Sequence, residues 1–417
     1  MEQRWFILAD DLTGAADSAI AFARRRLPAK VVWGEARPQD HADAIALAYD
    51  AATRELEAAD AARCHREALR RFLLPETRVF KKIDSTLRGH PAEEIAAMLD
   101  VIQAHEPGVR VVIAPAFPAT GRTVLGGRVR VDGVALPFTE YWPASREPEL
   151  ANLVNLLDSA GVHARHVPLS AVRGNPSELS SALAKSVAVC DSETDDDLER
   201  IAGASLDGSS PTFCIGSAGF AHALAQCVSR ASECRSVSHN RAPATRGALL
   251  VVGSRAKASR AALAQLRTLD NVEGITINPL LLIGDLQSPA HVALARRVGD
   301  SLSRGVDVVI DIEPTESSPR GGNPQLVSAL ARLLVTPARQ ASALVATGGE
   351  TAGALLTRLG VQGLQLVDEI EPGIPLGLTL GEVSVPVVTK AGGFGNEECL
   401  KRILARLRFI RQTGAVA

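Results

Sequence analysis

Two adjacent carboxylates in Asp10-Asp11-Leu12-Thr13-Gly14-Ala15 sit directly after the apolar run Trp5-Phe6-Ile7-Leu8-Ala9 and directly before a helical stretch. Successive side chains leave the backbone in opposed directions, so one acid can cap the helix while the other points into a cleft. Capping accounts for only one of the pair; the other is expected to bind a ligand or move a proton. A second polar cluster, Lys81-Lys82-Ile83-Asp84-Ser85-Thr86-Leu87-Arg88-Gly89, follows Arg78-Val79-Phe80 and precedes Pro91, a residue suited to a first helical turn. A cap would need Asp84 or Ser85 alone. The surplus of donors suits a hydroxyl-rich anion, because Arg grips a carboxylate through two parallel bonds while Ser, Thr and Asp read hydroxyls.

Three junctions in the second half are instead rich in glycine and small hydroxyl residues: Gly253-Ser254, Thr347-Gly348-Gly349-Glu350-Thr351 and Lys390-Ala391-Gly392-Gly393-Phe394-Gly395. Each follows a β-rich run and precedes a helix, so backbone N–H groups and the helix dipole can hold phosphate oxygens. One such turn means little; three in one unit point to a nucleotide. Lys390 is placed to add positive charge there. The chain has no Walker A, Rossmann or G-x-S-x-G motif, so the nucleotide mode is another one and a Ser-His-Asp hydrolase has little support.

These segments need a scaffold that brings strand ends together. Short β-branched runs alternate with helical stretches, the pattern of βαβ crossovers feeding a mostly parallel sheet, and ligands of such α/β folds bind at the carboxyl ends of the strands. Strands are expected at Trp5–Ala9, Ala29–Trp33, Ala44–Ala48, Val79–Lys82 and Val109–Ala114, with helices at Ala15–Arg25, Thr53–Phe72 and Pro91–His105. Glycines 121, 126, 127 and 133 then punctuate Arg128-Val129-Arg130-Val131, which reads as a hairpin-like insert over about 116–140 and a possible lid. The rhythm returns through Ala182–Cys190, Asp195–Ala202 and Pro211–Gly216. At 417 residues the chain exceeds the roughly 250–300 of a single core, so two domains are expected. The polar stretch Ser236–Pro243 marks the division, giving 1–240 and 241–417. In the second, strands are expected at Ala248–Val252, Val306–Ile312, Ala343–Ala346 and Val385–Thr389, with a closing helix at about Asn396–Arg411, and Ser317–Asn323 reads as a polar loop. The expected architecture is two α/β domains, their mostly parallel sheets facing a shared cleft.

Composition narrows the function classes. Hydrophobic residues make up 46% and charged residues 22%, as in ordinary globular proteins, and a net charge of -2 argues against a partner that is nucleic acid. No apolar run is long enough to span a membrane, and because Met1-Glu2-Gln3-Arg4 leads straight into a first strand no signal peptide is expected. Six cysteines without a Cys-x-x-Cys pair fit reduced thiols and a cytoplasmic setting. His163 and His166 lack companion ligands and read as a solvated loop, leaving metal ligands unassigned.

In family order, the set comprising Ala9–Ala15, Lys81–Gly89, Ala114-Pro115-Ala116-Phe117-Pro118 with Gly121-Arg122-Thr123, Asp191 with Asp195–Leu198, and the three glycine junctions resembles the four-carbon acid sugar kinases. The resemblance implies ATP-dependent phosphorylation of threonate, erythronate or a 3-oxo-tetronate at the terminal hydroxyl, with the acid on the N-terminal domain and the nucleotide on the C-terminal one. It implies substrate contacts at Asp11, Arg54, Lys82, Ile83, Asp84 and Ser85, and ATP contacts at Ser254, Gly348, Gly349, Glu350, Thr351 and Gly393. Arg255-Ala256-Lys257-Ala258 and Glu140-Tyr141-Trp142-Pro143 depart from the family pattern and leave the substrate subclass open. Catalysis is expected from Asp11, Lys82 and Asp84: Asp11 or Asp84 takes the hydroxyl proton, while Lys82 and Arg88 fix the carboxylate or offset phosphoryl charge. Magnesium would ride on the ATP phosphates, with Glu350 as a second contact. A homo-oligomer is compatible with this sequence. Two alternatives stay open: a nucleotide-independent sugar-acid lyase or isomerase, and a non-catalytic sensor of nucleotide and sugar acid.

Overall fold

The computed structural model describes residues 3–184, 187–207, 211–229, 242–284, 288–313 and 323–416. The chain divides into two compact units, Met1–Arg235 and Ser236–Ala417. The expected linker at 236–241, most of the polar loop at 317–323, and Cys234 lie outside the described residues. Within them, no helix is long and apolar enough to cross a membrane.

The first unit contains β1 (Trp5–Ala9), β2 (Ala29–Trp33), β3 (Ala46–Asp50), β4 (Arg78–Lys82), β5 (Arg110–Ala114), β6 (Arg122–Leu125), β7 (Arg128–Val131), β8 (Val134–Ala135), β9 (Ala164–Val167), β10 (Val187–Cys190) and β11 (Thr212–Gly216). Its main sheet runs β2-β3-β1-β4-β11-β5-β10-β9. All of these pairings are parallel. Neighbouring residues of β1 separate the two helical layers: the Trp5 ring meets Phe22 of helix Leu12–Ala23 at 5.5 Å, while Phe6 stacks on Phe72 of helix Ala58–Phe72 at 4.9 Å. Strand alternation carries this division along the sheet. Phe80 faces Phe220 of helix Ala218–Ser229, so Lys82 shares that face and Lys81 points to the other.

Lys81 is fully buried and its ammonium lies 2.7 Å from Glu94 Oε2 on helix Pro91–His105. It also donates to His65 Nε2 at 2.8 Å, while Thr53 Oγ1 donates to Glu94 Oε1 at 2.9 Å. Burial, then the Lys81 charge, push the His65 imidazole down to about 4, so it is neutral at ordinary pH. This buried pair anchors the residue beside Arg54, and Lys81 is therefore part of the scaffold.

The insert forms a separate antiparallel sheet, β6-β7-β8, in agreement with its hairpin-like pattern. Asp191 pins it by accepting from the Gly126 and Gly127 amides at 3.0 and 2.9 Å. Asp197 completes a capping box with Thr194 and receives Arg173. These two acids are structural. His166 is not in a loop: it lies on β9, with Nε2 2.9 Å from Asp191 Oδ1.

The second unit contains β12 (Leu249–Val252), β13 (Val272–Ile277), β14 (Asp307–Ile312), β15 (Leu344–Thr347), β16 (Val361–Glu371), β17 (Ile374–Gly381) and β18 (Pro386–Lys390), in the order β13-β14-β12-β15-β18-β17-β16. The first five in that order are parallel. β17 pairs antiparallel with both β16 and β18, and the hairpin β16–β17 was not anticipated, because its glycines and acids interrupt the apolar run. The closing helix Cys399–Thr413 buries Leu400, Ile403, Leu404, Leu407 and Ile410 in the core, the 3–4 spacing of one helical face. Arg408 and Arg411 of the same helix each bind the fully buried Asp307 at 2.7 Å.

Removing one member of a buried ion pair strands the other charge. Lys81→Met should therefore lower the unfolding free energy by about 3–5 kcal/mol in a denaturant titration. Pairing it with Glu94→Leu should recover much of that loss; equal loss in both variants would exclude the pair as the cause.

Candidate functional site

The carboxyl ends of β1, β3 and β4 lie side by side, with Ala9 in register with Asp50 and Leu8 with Lys81. The chain leaves β3 through a loop whose Thr53 and Arg54 amides donate to the Asp10 carbonyl at 2.9 and 3.2 Å. That loop ends at Ala58, where the helix begins, so the expected helical start at Thr53 is corrected. The shorter helix is what frees Arg54 to turn inward. Its Nε and Nη2 grip Asp10 at 2.8 and 2.9 Å, its Nη1 binds Asp11 Oδ2 at 2.6 Å, and Nη2 lies 3.7 Å from Asp84 Oδ2.

Asp11 is the cap of helix Leu12–Ala23: Oδ1 accepts the Gly14 amide at 2.7 Å, and Oδ2 also accepts from Thr13 Oγ1 at 2.7 Å. Asp84 accepts from the Thr86 amide at 2.9 Å and from Arg88 Nε and Nη2 at 3.1 and 2.6 Å. Ala52 and Leu87, neither of them glycine, sit in the left-handed region in the two loops, with φ of 51° and 58°. Such strain persists only where surrounding contacts hold it.

Lys82 differs from its neighbours. It is 4% exposed, and among the described residues its ammonium has no hydrogen-bond acceptor or carboxylate in pairing range. A Cβ on Gly14 would stand 3.0 Å from Lys82 Nζ and 2.7 Å from Asp11 Oδ1, so only glycine leaves the ammonium its place beside the helix. Ser85, 6% exposed, likewise has no protein partner for its hydroxyl among the described residues. Ile83 is buried in the core and its amide is used by the Gly216 carbonyl at 2.8 Å, so its side chain is not presented to a ligand.

Burial pushes the Asp10 carboxyl up, but Arg54, assisted by Lys81 and Lys82, outweighs it and holds the group at about 2. Burial likewise opposes ionisation of Asp84, and Arg88 with Arg54 keeps it well below the ordinary carboxylate range. Asp50 behaves oppositely. Burial raises it, the Ala52 amide 2.8 Å from Oδ1 opposes, and the charges of Asp11 and Asp10 raise it further, to about 7.

In the second unit β12, β15 and β18 are adjacent and parallel, with Val252 in register with Thr347 and Thr347 with Lys390. All three glycine junctions therefore open at one edge. The Gly348 amide donates to the Lys390 carbonyl at 2.8 Å, and Gly349, Glu350 and Thr351 form the first turn of helix Gly349–Arg358. A Cβ on Gly392 would lie 2.1 Å from Ser254 Oγ, so the loops carrying Ser254 and Gly393 approach too closely for any other residue there. The Ser254 amide also donates to Thr347 Oγ1 at 3.3 Å. Lys390 is fully buried, where the sequence suggested a phosphate-facing cation. Its ammonium donates to Ser259 Oγ at 3.0 Å and to the Ala391 and Gly392 carbonyls at 3.1 and 3.4 Å, bracing the loop from beneath. Burial lowers its pKa to about 8.

Asp11, Arg54, Lys82, Asp84, Ser85 and Arg88 are thus brought together in the first unit, and Ser254, Gly348, Gly349, Glu350, Thr351 and Gly393 in the second. Asp50 escaped the sequence analysis because β3 was expected to end at Ala48. Placing the strand two residues later would have set this acid at the same sheet edge as the others. Among the described residues, no group of three or more His, Cys, Asp or Glu is arranged to hold a metal ion.

Residues 5–224 match the family model of a sugar-binding N-terminal domain, and residues 249–400 that of a nucleotide-binding C-terminal domain. A D-threonate kinase of Cupriavidus necator is 35% identical over 95% of this chain and 96% of its own. A D-erythronate kinase of Heliobacterium modesticaldum is 28% identical, covering 96% and 97%, and a 3-oxo-tetronate kinase of Methylobacterium radiotolerans is 28% identical, covering 95% and 97%. A solved protein of Salmonella typhimurium shares the fold with a TM-score of 0.77 at 21% identity, covering 96% of this chain and 98% of its own. Matched by both domain models and by curated kinases along nearly its whole length, the chain belongs to the four-carbon acid sugar kinase family.

Proposed function

We propose that this protein transfers the γ-phosphoryl group of ATP to the terminal hydroxyl of a four-carbon sugar acid, with the acid held by the first unit and the nucleotide by the second. The observation that carries this reading is Lys82: a lysine buried to 4% exposure whose ammonium has no partner among the described residues is costly unless an anion completes it. The glycine-rich strand ends of the second unit support the nucleotide, through the positive end of helix Gly349–Arg358, whose N-cap Gly348 supplies no side-chain cap. The names of the relatives support the chemical class of the acceptor, a threonate, erythronate or 3-oxo-tetronate.

In this reading Lys82 and Arg88 draw in the acid's carboxylate, while Asp11, Asp84 and Ser85 orient its hydroxyls. Asp84 is a poor proton acceptor, since Arg88 and Arg54 hold it ionised far below neutrality. Phosphoryl transfer asks mainly for an in-line hydroxyl and charge compensation. Ser254, Gly348, Gly349, Thr351 and Gly393 would cradle the nucleotide. Magnesium would be held mostly by phosphate oxygens and water, with Glu350 as a second contact. Bound there, it would neutralise charge on the phosphates.

The direct test is ADP release over a panel of threonate and erythronate isomers and 3-oxo-tetronate with magnesium present. Turnover of an acid without ATP would replace the kinase by a lyase or isomerase, and tight binding of both ligands without ADP would replace it by a sensor. Lys82→Met should raise KM for the acid about 10–100-fold, the worth of one charge-assisted bond, with ATP affinity unchanged. Gly392→Val should do the reverse, weakening ATP binding in calorimetry while sparing the acid; equal loss of both would indicate misfolding.

A further inference from the structure

We propose that Asp50 is the general base of the transfer, taking the proton from the attacking hydroxyl; this rests on the kinase reading above. Four carboxylates line the ends of β1, β3 and β4, and three of them are committed. Asp10 is gripped at both oxygens by Arg54, Asp11 accepts from Gly14, Thr13 and Arg54, and Asp84 accepts from Thr86 and Arg88. Among the described residues Asp50 pairs with no cation. Its Oδ1 takes the Ala52 amide at 2.8 Å, and among the described residues Oδ2 has no hydrogen-bond partner.

Position favours the same residue. Tyr49 packs on Phe72, so strand alternation turns Asp50 toward the opposite face, the one that carries Lys82 and the capped end of helix Leu12–Ala23. Its 7% exposure leaves a small opening for a ligand. The charged groups around it are Asp10 and Asp11 from the end of β1 and Arg54 from its own loop, with Lys82 of β4 on the same face; the helix on this face carries the buried Asp17, and Glu35 beyond β2 is exposed. Burial and then the two neighbouring acids raise proton affinity at Asp50, and the charge of Arg54, which bonds to those acids, opposes them only in part. A base titrating near neutrality combines adequate strength with a useful ionised fraction.

The step balances without a further reactant. A lone pair of the acceptor oxygen forms the new bond to the γ-phosphorus, the bond from that phosphorus to the β,γ-bridging oxygen breaks, and its electron pair leaves with ADP. The hydroxyl proton passes to the Asp50 carboxylate and from there to water.

Single-turnover rates of the wild-type protein, saturated with ATP, magnesium and whichever acid gives ADP, should rise with pH through an inflection near 7. Asp50→Asn should slow this step about 10²–10⁴-fold and abolish the inflection, leaving ATP and acid affinities within a few-fold. The variant has its own folding control. An acid whose pKa is raised by folding loses stability as pH climbs from its unfolded value toward its folded one, so Asp50→Asn should melt no lower than wild type at pH 8. A flat wild-type profile from pH 5.5 to about 8, or Asp50→Asn turnover within threefold of wild type, would overturn the assignment. Because both are read on a protein that already makes ADP, either result leaves the kinase reading standing; absence of ADP with every acid would fail that reading first.

Discussion

The guanidinium of Arg54 lies among three carboxylates that would otherwise repel one another in a nearly dry setting. Asp10, Asp11 and Asp84 are each less than a tenth exposed, and like charges so placed would drive one another neutral. Arg54 reaches Asp10 and Asp11 directly and lies at ion-pair distance from Asp84, which Arg88 also binds. The three loops that carry the acids and the arginine are thereby tied to one planar group. A lysine in its place would supply charge but not the forked geometry that serves two carboxylates together.

The buried lysines of the two units perform different tasks according to what their ammonium groups meet. Lys81 has its carboxylate, Glu94, and works as a strut below Thr53. Lys390 in the second unit satisfies its ammonium on a serine and two loop carbonyls, holding glycine-rich backbone from beneath. Lys82 alone of the three has no such partner among the described residues. Chemically identical groups become scaffold or site through a single step of register.

Most of what positions the site was legible in the residues. The βαβ rhythm placed β1, β2, β4 and β5 within a residue or so, and helix Pro91–His105 at its observed bounds, because Pro91 and apolar periodicity define it sharply. The rule that strand ends bear ligands then selected both polar clusters. What escaped depended on long-range partners. Nothing local says that Lys81 will meet His65 and Glu94, or that Lys390 will be buried. The edge strand β9 and the hairpin β16–β17 owe their conformation to pairing more than to their own sequence, and β3 slipped because Ala44-Ile45 reads as strand although pairing begins at Ala46.

The solitary state of Lys82 has a consequence for discrimination. Most of its hydration is already gone in the folded chain, so an incoming anion regains electrostatic energy while stripping little further water from the protein. A neutral polyol of the same size would cover the remaining aperture and give nothing back. The penalty for the wrong guest is thus built into the fold around Lys82, and it acts by exclusion of uncharged look-alikes before any hydroxyl has been inspected.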